Sequence, residues 1–360
     1  MRRTAALIVG GGPAGSAAAI RLASGGARPL LIERHPDGDA LCGGFVSWRT
    51  IDRIASLGVD PDALNRDRLT HVTIFAGGRV REATLPRAAI GVSRHRLDTL
   101  LRAAAIRSGA AVETGVTVRQ VDGLTAHLAD GATLAADALF LATGKHDLRG
   151  LARPAAARGD DPTLGIRVRL SPAPALTRAL AGRIELHLFE RGYAGIALQE
   201  DGSANVCMAV HRSRLHAAGS PADLLGALGR ECPRLGERLE ALPSDAAIDA
   251  IANVPYGWRE RRGAPGLFRL GDQAGVIPSL AGEGMGIAFA SGISAADAWL
   301  EGGPAGAAAW QEAFARRLAR PMAVAGTVRG IAESRWSAAA IAMMPPGLIQ
   351  VMAHATRMAP

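Results

Sequence analysis

The sequence predicts an α/β protein: a Rossmann-like nucleotide domain, a second sheet-based domain and C-terminal helices. Three observations carry this. The apolar run "AALIV" at 5–9 passes directly into "GGGPAG" and an Ala-rich helix; a second strand-and-glycine stretch, "LFRLGDQAGVIPSLAGEGMG", returns at 267–286; and the region between holds strand-like alternations such as "GIRVRL" at 165–170.

The opening unit is the most specific. A buried parallel strand at 5–9 feeds a turn in which Gly10, Gly12 and Gly15 satisfy G-x-G-x-x-G, and "SAAAIRLASGG" then reads as a helix ending at Gly25 and Gly26. Gly10 permits the tight turn, Gly12 lets backbone approach a pyrophosphate, and Gly15 lets helix and strand pack closely. The helix N-terminus offers free N–H groups and the positive end of its dipole to phosphate. A second strand, "PLLIE", ends at Glu33, 18 residues past Gly15, near the spacing expected of a carboxylate on an adenosine ribose. A secretory signal is the competing reading of Met1, Arg2, Arg3 and the apolar run; Gly-Gly-Gly-Pro interrupts that run and no small-residue cleavage site follows.

The formal charge of +8 raises nucleic acid as a partner, but the basic residues are scattered arginines, Lys145 is the only lysine, and aromatic residues make up 4% of the chain. No nucleic-acid surface is expected. Cys42, Cys207 and Cys232 are too few and too widely spaced for a disulfide framework or a zinc site, so no metal is expected and a reducing, cytoplasmic setting fits. No apolar run reaches the length of a membrane span.

The late stretch narrows the nucleotide. With "LFRLGDQAGVIPSLAGEGMGIAFASG" at 267–292 the chain resembles the flavoproteins that include aromatic hydroxylases of the p-hydroxybenzoate hydroxylase type, flavin-dependent halogenases and geranylgeranyl reductases. The resemblance implies an FAD-binding domain of the glutathione reductase type. It implies Asp272 on the ribityl chain, with Gly271 in close approach, and Pro278, Gly282, Gly284, Met285 and Gly286 beside the isoalloxazine ring. A helix N-terminus there would stabilise an anionic reduced flavin. "SRHRLDTLL" at 93–101 implies Arg94 on the cofactor with Asp98 as its helix partner, and "ALFLATGKHD" at 138–147 implies Thr143 and Gly144. Pro13, Ala14, Arg34 and Val118 complete the implied cradle. "ALCGGFVS" at 40–47 resembles the reductases' Cys-Gly segment against the flavin, which makes Cys42 and Gly43 candidates, Cys42 also for catalysis. A buried, inert thiol is the equal alternative for Cys42, and Cys207 and Cys232 read as structural.

On this reading the nucleotide domain takes 1–70, 93–160 and 263–303, the second domain 71–92 and 161–262, and a helical region 304–360. In the second domain Arg167 and Arg169 share one strand face, and Glu185, His187 and Phe189 another. The resemblance would set such a sheet over the substrate, making His187 a candidate contact, while the arginine face reads as solvated. Tyr193 matches the start of the reductases' Tyr-x-Trp-x-Phe-Pro pattern, but Gly195 and Ala197-Leu198 stand where Trp and Phe-Pro would be. No Trp-x-Trp-x-Ile-Pro marks a tryptophan-type halogenase. After Pro345-Pro346 the last helix shows Leu348, Val351, Met352 and Ala355 on one stripe, read as packing or, more sharply, as the cap of a lipid-accommodating channel.

The expected function is an FAD-dependent, NADH- or NADPH-driven monooxygenase acting with molecular oxygen on a phenolic or other apolar or aromatic small molecule. A flavin reductase or dehydrogenase of carbon–carbon double bonds is the alternative, and a flavin-binding protein without turnover the remote one. A monomer or homodimer is expected, with peripheral membrane contact left open.

Overall fold

A computed structural model of the chain describes residues 2–345 and 347–358. Pro346, and with it half of the expected Pro-Pro break, lies outside the described residues, as does Met1.

Among the described residues fifteen strands form two sheets. In chain order they are β1 (Arg2–Val9), β2 (Leu30–Glu33), β3 (Phe45–Val46), β4 (Leu69–Ala76), β5 (Arg79–Gly91), β6 (Ala111–Thr114), β7 (Val118–Asp122), β8 (Thr125–Leu128), β9 (Thr133–Leu141), β10 (Thr163–Leu170), β11 (Arg183–Phe189), β12 (Gly192–Leu198), β13 (Ala204–His211), β14 (Asp249–Val254) and β15 (Leu267–Arg269). The first sheet runs β6-β2-β1-β9-β8-β7, with β15 beside the second half of β9. Its β6, β2, β1, β9 and β15 are parallel, and β7, β8 and β9 form an antiparallel meander. The apolar end of β1 is buried because helices cover one face, where Ala6 and Ile8 point, and residues of β7 and β8 cover the other, where Leu7 and Val9 meet Val121, Ala126 and Leu128.

Small residues set how closely those helices pack. The helix Pro13–Ser24 lies against the helix Gly284–Gly302, and a Cβ on Gly292 would run into the Ala14 carbonyl. On the same face of the sheet Phe140 of β9 stacks on Phe268 of β15 at 4.6 Å, and Trp310 and Phe314 of the helix Ala307–Ala332 extend the stack.

The second sheet runs β14-β10-β13-β12-β11-β4-β5-β3, antiparallel except where β11 and β4 meet. One face carries Ile166, Val168, Ala194, Ile196 and Val206 and packs under the helices Pro174–Leu180, Pro221–Glu231 and Pro233–Leu239. The opposite face looks back toward the nucleotide domain and the C-terminal helices Ser337–Ala342 and Leu348–Ala355.

That division corrects two expectations. Strand alternation fixes which residues share a face, not which face meets the cavity. On β11 the cavity face is Ile184, Leu186 and Leu188, and His187 points the other way, fully buried, its Nε2 3.2 Å from Glu185 and its ring stacked on Phe75. The Arg167 and Arg169 face is not given over to solvent. Arg167 is buried on Asp249 and Asp39, and Arg169 reaches Asp39 as well.

Candidate functional site

A cavity of about 1040 Å³ runs from the end of β1, past the helix Gly284–Gly302, and out between the second sheet and the C-terminal helices. Its first half is the glycine turn. Gly10 holds φ at +109°, and a Cβ there would strike the Ala142 carbonyl; a Cβ on Gly15 would strike that of Gly10. Gly15 is thus a packing position behind the cavity wall, while Gly10, Gly12, Pro13 and Ala14 line it. Gly12 caps the helix Pro13–Ser24 without a side-chain hydrogen bond, leaving the first-turn N–H groups for a ligand. Glu33 closes the unit, accepting from the N–H groups of Gly11 at 2.6 Å and His35 at 2.9 Å.

Arg94 reaches into the same space, held 2.7 Å from Asp98 one turn along its helix, and a Cβ on Gly12 would lie 3.0 Å from the guanidinium. Arg34, Val118, Thr143 and Gly144 also line the cavity. A free helix N-terminus, a cation beside it, a terminal carboxylate and a cradle that any side chain at Gly12 would fill suit a pyrophosphate-linked dinucleotide.

Where the two halves of the cavity meet, Asp272 lies 3.1 Å from the ammonium of Lys145, both partly buried. Asp272, and to a smaller extent Tyr256 and Cys42, raise the lysine's pKa against the lowering effect of burial, so it stays charged. Two buried side chains position this pair. Arg153 donates to the Asp272 carbonyl at 3.1 Å and to Asp147 at 2.7 Å, and Gln273 donates to the carbonyls of Gly144 and His146, both at 2.9 Å.

The segment 39–44 is pinned across the second sheet. Arg167 donates to the carbonyls of Asp39 and Ala40, and Asn205 to that of Cys42 at 2.9 Å. Cys42 and Gly43 therefore line the cavity. Cys207, expected to be structural only, lines it too from β13, with burial and then the nearby Cys42 pushing its thiol up to about 12.

Beyond this junction the wall becomes apolar. Val72 and Ile74 of β4 stand opposite Ile184 and Leu186 of β11, and Ile341 and Met352 close the far side. At the inner end of this arm the chain's two tyrosines converge on one hydroxyl. Tyr193 Oη donates to Ser279 Oγ at 2.6 Å, and Tyr256 Oη shares the same oxygen. Burial, then the neighbouring Tyr256, raises the Tyr193 phenol well above its ordinary value, which keeps it protonated.

Other expected positions fall differently. Pro278 is not on the cavity wall; its neighbours Ile277 and Ser279 are. Gly271, Gly282, Gly284 and Met285 line the cavity, whereas Gly286 lies behind it, where a Cβ would enter the Glu283 carboxylate. Tyr256, Ser279, Arg153 and Gln273 were missed from sequence: Tyr256 and Arg153 lie outside the glycine stretches, and Gln273 and Ser279, though within one, take their roles from partners at least 86 residues away.

Fold and cradle together define a dinucleotide-binding α/β protein, and the comparisons identify the dinucleotide domain as one for FAD. Residues 3–150 match the family model described as FAD binding domain, so the chain carries that domain. The rice (Oryza sativa subsp. japonica) protein named geranylgeranyl diphosphate reductase, chloroplastic, is 35% identical over 126 residues, 33% of this chain and 26% of the relative. The chain thus aligns with about a quarter of that curated relative's length. Among solved structures, a flavoprotein/dehydrogenase from Cytophaga hutchinsonii superposes with a TM-score of 0.76 at 16% identity, covering 99% of this chain and 91% of its own. The Pseudomonas aeruginosa protein pqsL, described as "a probable FAD-dependent monooxygenase", superposes at 0.71 and 16% identity, covering 95% and 100%. At these identities the structural likeness is one of fold.

Proposed function

We propose that the protein is a monooxygenase that uses FAD, reduced by NADH or NADPH, to hydroxylate a molecule with a small polar, phenolic head and an apolar remainder. The observation that carries this reading is the single cavity in which the dinucleotide cradle, the Tyr193–Ser279–Tyr256 cluster and the apolar arm are continuous. Bound FAD would supply the electron transfer and oxygen activation.

Gly10, Gly12, Glu33 and Arg94 would hold the cofactor's nucleotide end, with Asp272 nearer the flavin. Tyr193, kept protonated, and Ser279 would orient the substrate's polar head. The charged Lys145 would favour an anionic form of that head, a phenolate being more reactive toward electrophilic oxygen. The apolar wall from Val72 to Met352 would take the remainder and exclude water. A carbon–carbon double-bond reductase is the second reading, favoured by Cys42 and Cys207 on the wall and by the chloroplastic relative.

Turnover of alkylphenols under labelled oxygen separates the two. Label in the product supports hydroxylation, whereas conversion that proceeds equally without oxygen, with two hydrogens gained, overturns it in favour of reduction.

A further inference from the structure

Seven large apolar side chains are exposed among the described residues, and five of them, Ile331, Trp336, Met343, Leu348 and Val351, come from one stretch of 21 residues at the C-terminal end. Trp336 and Met343 are 64% and 77% exposed. The last helix explains part of this. Its expected stripe does not all turn inward: Ile349 is buried, while Leu348 and Val351 stay outside. Ile331 and Leu348 also line the cavity, so the exposed group surrounds the mouth of the apolar arm. Val80 joins it from the β4–β5 hairpin, where Gly77 abuts Ala338 and Arg81 donates to the Met344 carbonyl.

Arginine predominates in the segment that carries this patch, the exposed Glu312 and the neighbouring Glu190 standing against it. Residues 304–358 contain six arginines and two glutamates. Glu333 is held inward by Arg329 and His211, and Glu82 near the hairpin is taken by Arg183. Arg316 and Arg320 are exposed, Arg320 lines a shallow groove with Val351, and the Arg335 guanidinium lies 5.0 Å from the Trp336 ring centre. An apolar centre carrying a tryptophan, ringed by arginines, has the composition of a surface that lies in a lipid interface. No helix among the described residues is long and apolar enough to cross a membrane.

We propose that this C-terminal face docks on an anionic bilayer, with the cavity mouth turned to the lipid so that an apolar substrate enters without passing through water. The entry route rests on the apolar-substrate reading above; the docking does not, and it is tested without turnover.

The test is flotation of the flavin-loaded protein with vesicles of phosphatidylcholine alone or mixed with phosphatidylglycerol, at low and high salt. The expected result is flotation with the anionic vesicles, about tenfold weaker with neutral ones and weakened by salt. Trp336→Glu with Met343→Glu should lower anionic binding about tenfold at unchanged flavin content, because both side chains are exposed. If that variant does not fold, Arg320→Glu carries the same test, with a smaller expected loss of about fivefold. Absence of flotation with anionic vesicles, or flotation that the folded variants leave unchanged, overturns the proposal. So does a vesicle-free dimer that Trp336→Glu dissociates in protein that does not float, since the patch is then covered by a second copy.

Discussion

The Lys145 ammonium lies 3.1 Å from the Asp272 carboxylate and joins the turn after β9 to the turn after β15. The chain uses arginine at every other Lys-or-Arg position, so a compact cation stands only where these two turns meet over the cavity. Removing either partner leaves the other charge partly buried and unmatched, whereas removing both leaves a neutral site. Lys145→Met and Asp272→Asn should therefore each destabilise the flavin-free protein, and the double variant should lose less than their sum, with a coupling of about 2 kcal/mol. Urea unfolding of the four proteins measures this; additive losses would refute the coupling.

Gly12 bounds the space in which the nucleotide phosphates would lie, and a Cβ there already comes within 3.0 Å of Arg94. Gly12→Val should give a folded protein purified without flavin, because two further methyl groups fill the cradle while the strand and helix beneath are unchanged. Flavin absorbance and thermal melting, read side by side, test it. Full flavin occupancy in the variant would remove Gly12 from the site.

The glycine turn and the strand ending at Glu33 were legible in sequence from turn and strand spacing, whereas Arg94 with Asp98 and the second glycine stretch around Asp272 were legible through the resemblance of their motifs to known flavoproteins. Features made by distant segments were not. Ser279 meets Tyr193 across 86 residues and Arg153 meets the Asp272 carbonyl across 119, and nothing local encodes either contact. His187 shows a different limit, because period two groups it correctly with Glu185 but leaves both faces of the sheet eligible for the cavity.

His211, at the end of β13, connects the second sheet to the C-terminal helices. It lies 2.9 Å from Glu333 and 3.3 Å from Asp161, with the Arg329 guanidinium 3.2 Å away. The Glu333 hydrogen bond raises the imidazole's pKa above 6.5, against burial and Arg329. With the folded value raised, the histidine's contribution is fully present below 6.5 and is lost as pH rises through the folded value. The melting-temperature gap between the native protein and His211→Gln should accordingly be largest near pH 6 and shrink toward pH 9. A gap that grows with pH would show the imidazole to be held neutral.

Glu283 and Arg357 form a buried ion pair at 3.3 Å behind the glycine stretch, with side-chain exposures of 0% and 4%. The carboxylate also accepts from Ser47 and from the Met358 N–H, while Arg357 donates to the Ala281 carbonyl at 2.5 Å and lies 5.1 Å from the Trp48 ring centre. The C-terminal segment is thereby tied to the loop carrying Gly282 and Gly284. Burial raises the Glu283 pKa even with Arg357 in place, so loss of the guanidinium leaves a charge with little solvent to replace it. Arg357→Met should cost about 3–5 kcal/mol. Pairing it with Glu283→Met removes the stranded charge, so the double variant should be more stable than Arg357→Met alone, short of full recovery because the Ala281 and Trp48 contacts stay lost. Equilibrium urea unfolding distinguishes the outcomes: a double variant less stable than Arg357→Met would mean that the carboxylate's bonds to Ser47 and Met358 outweigh the cost of burying its charge.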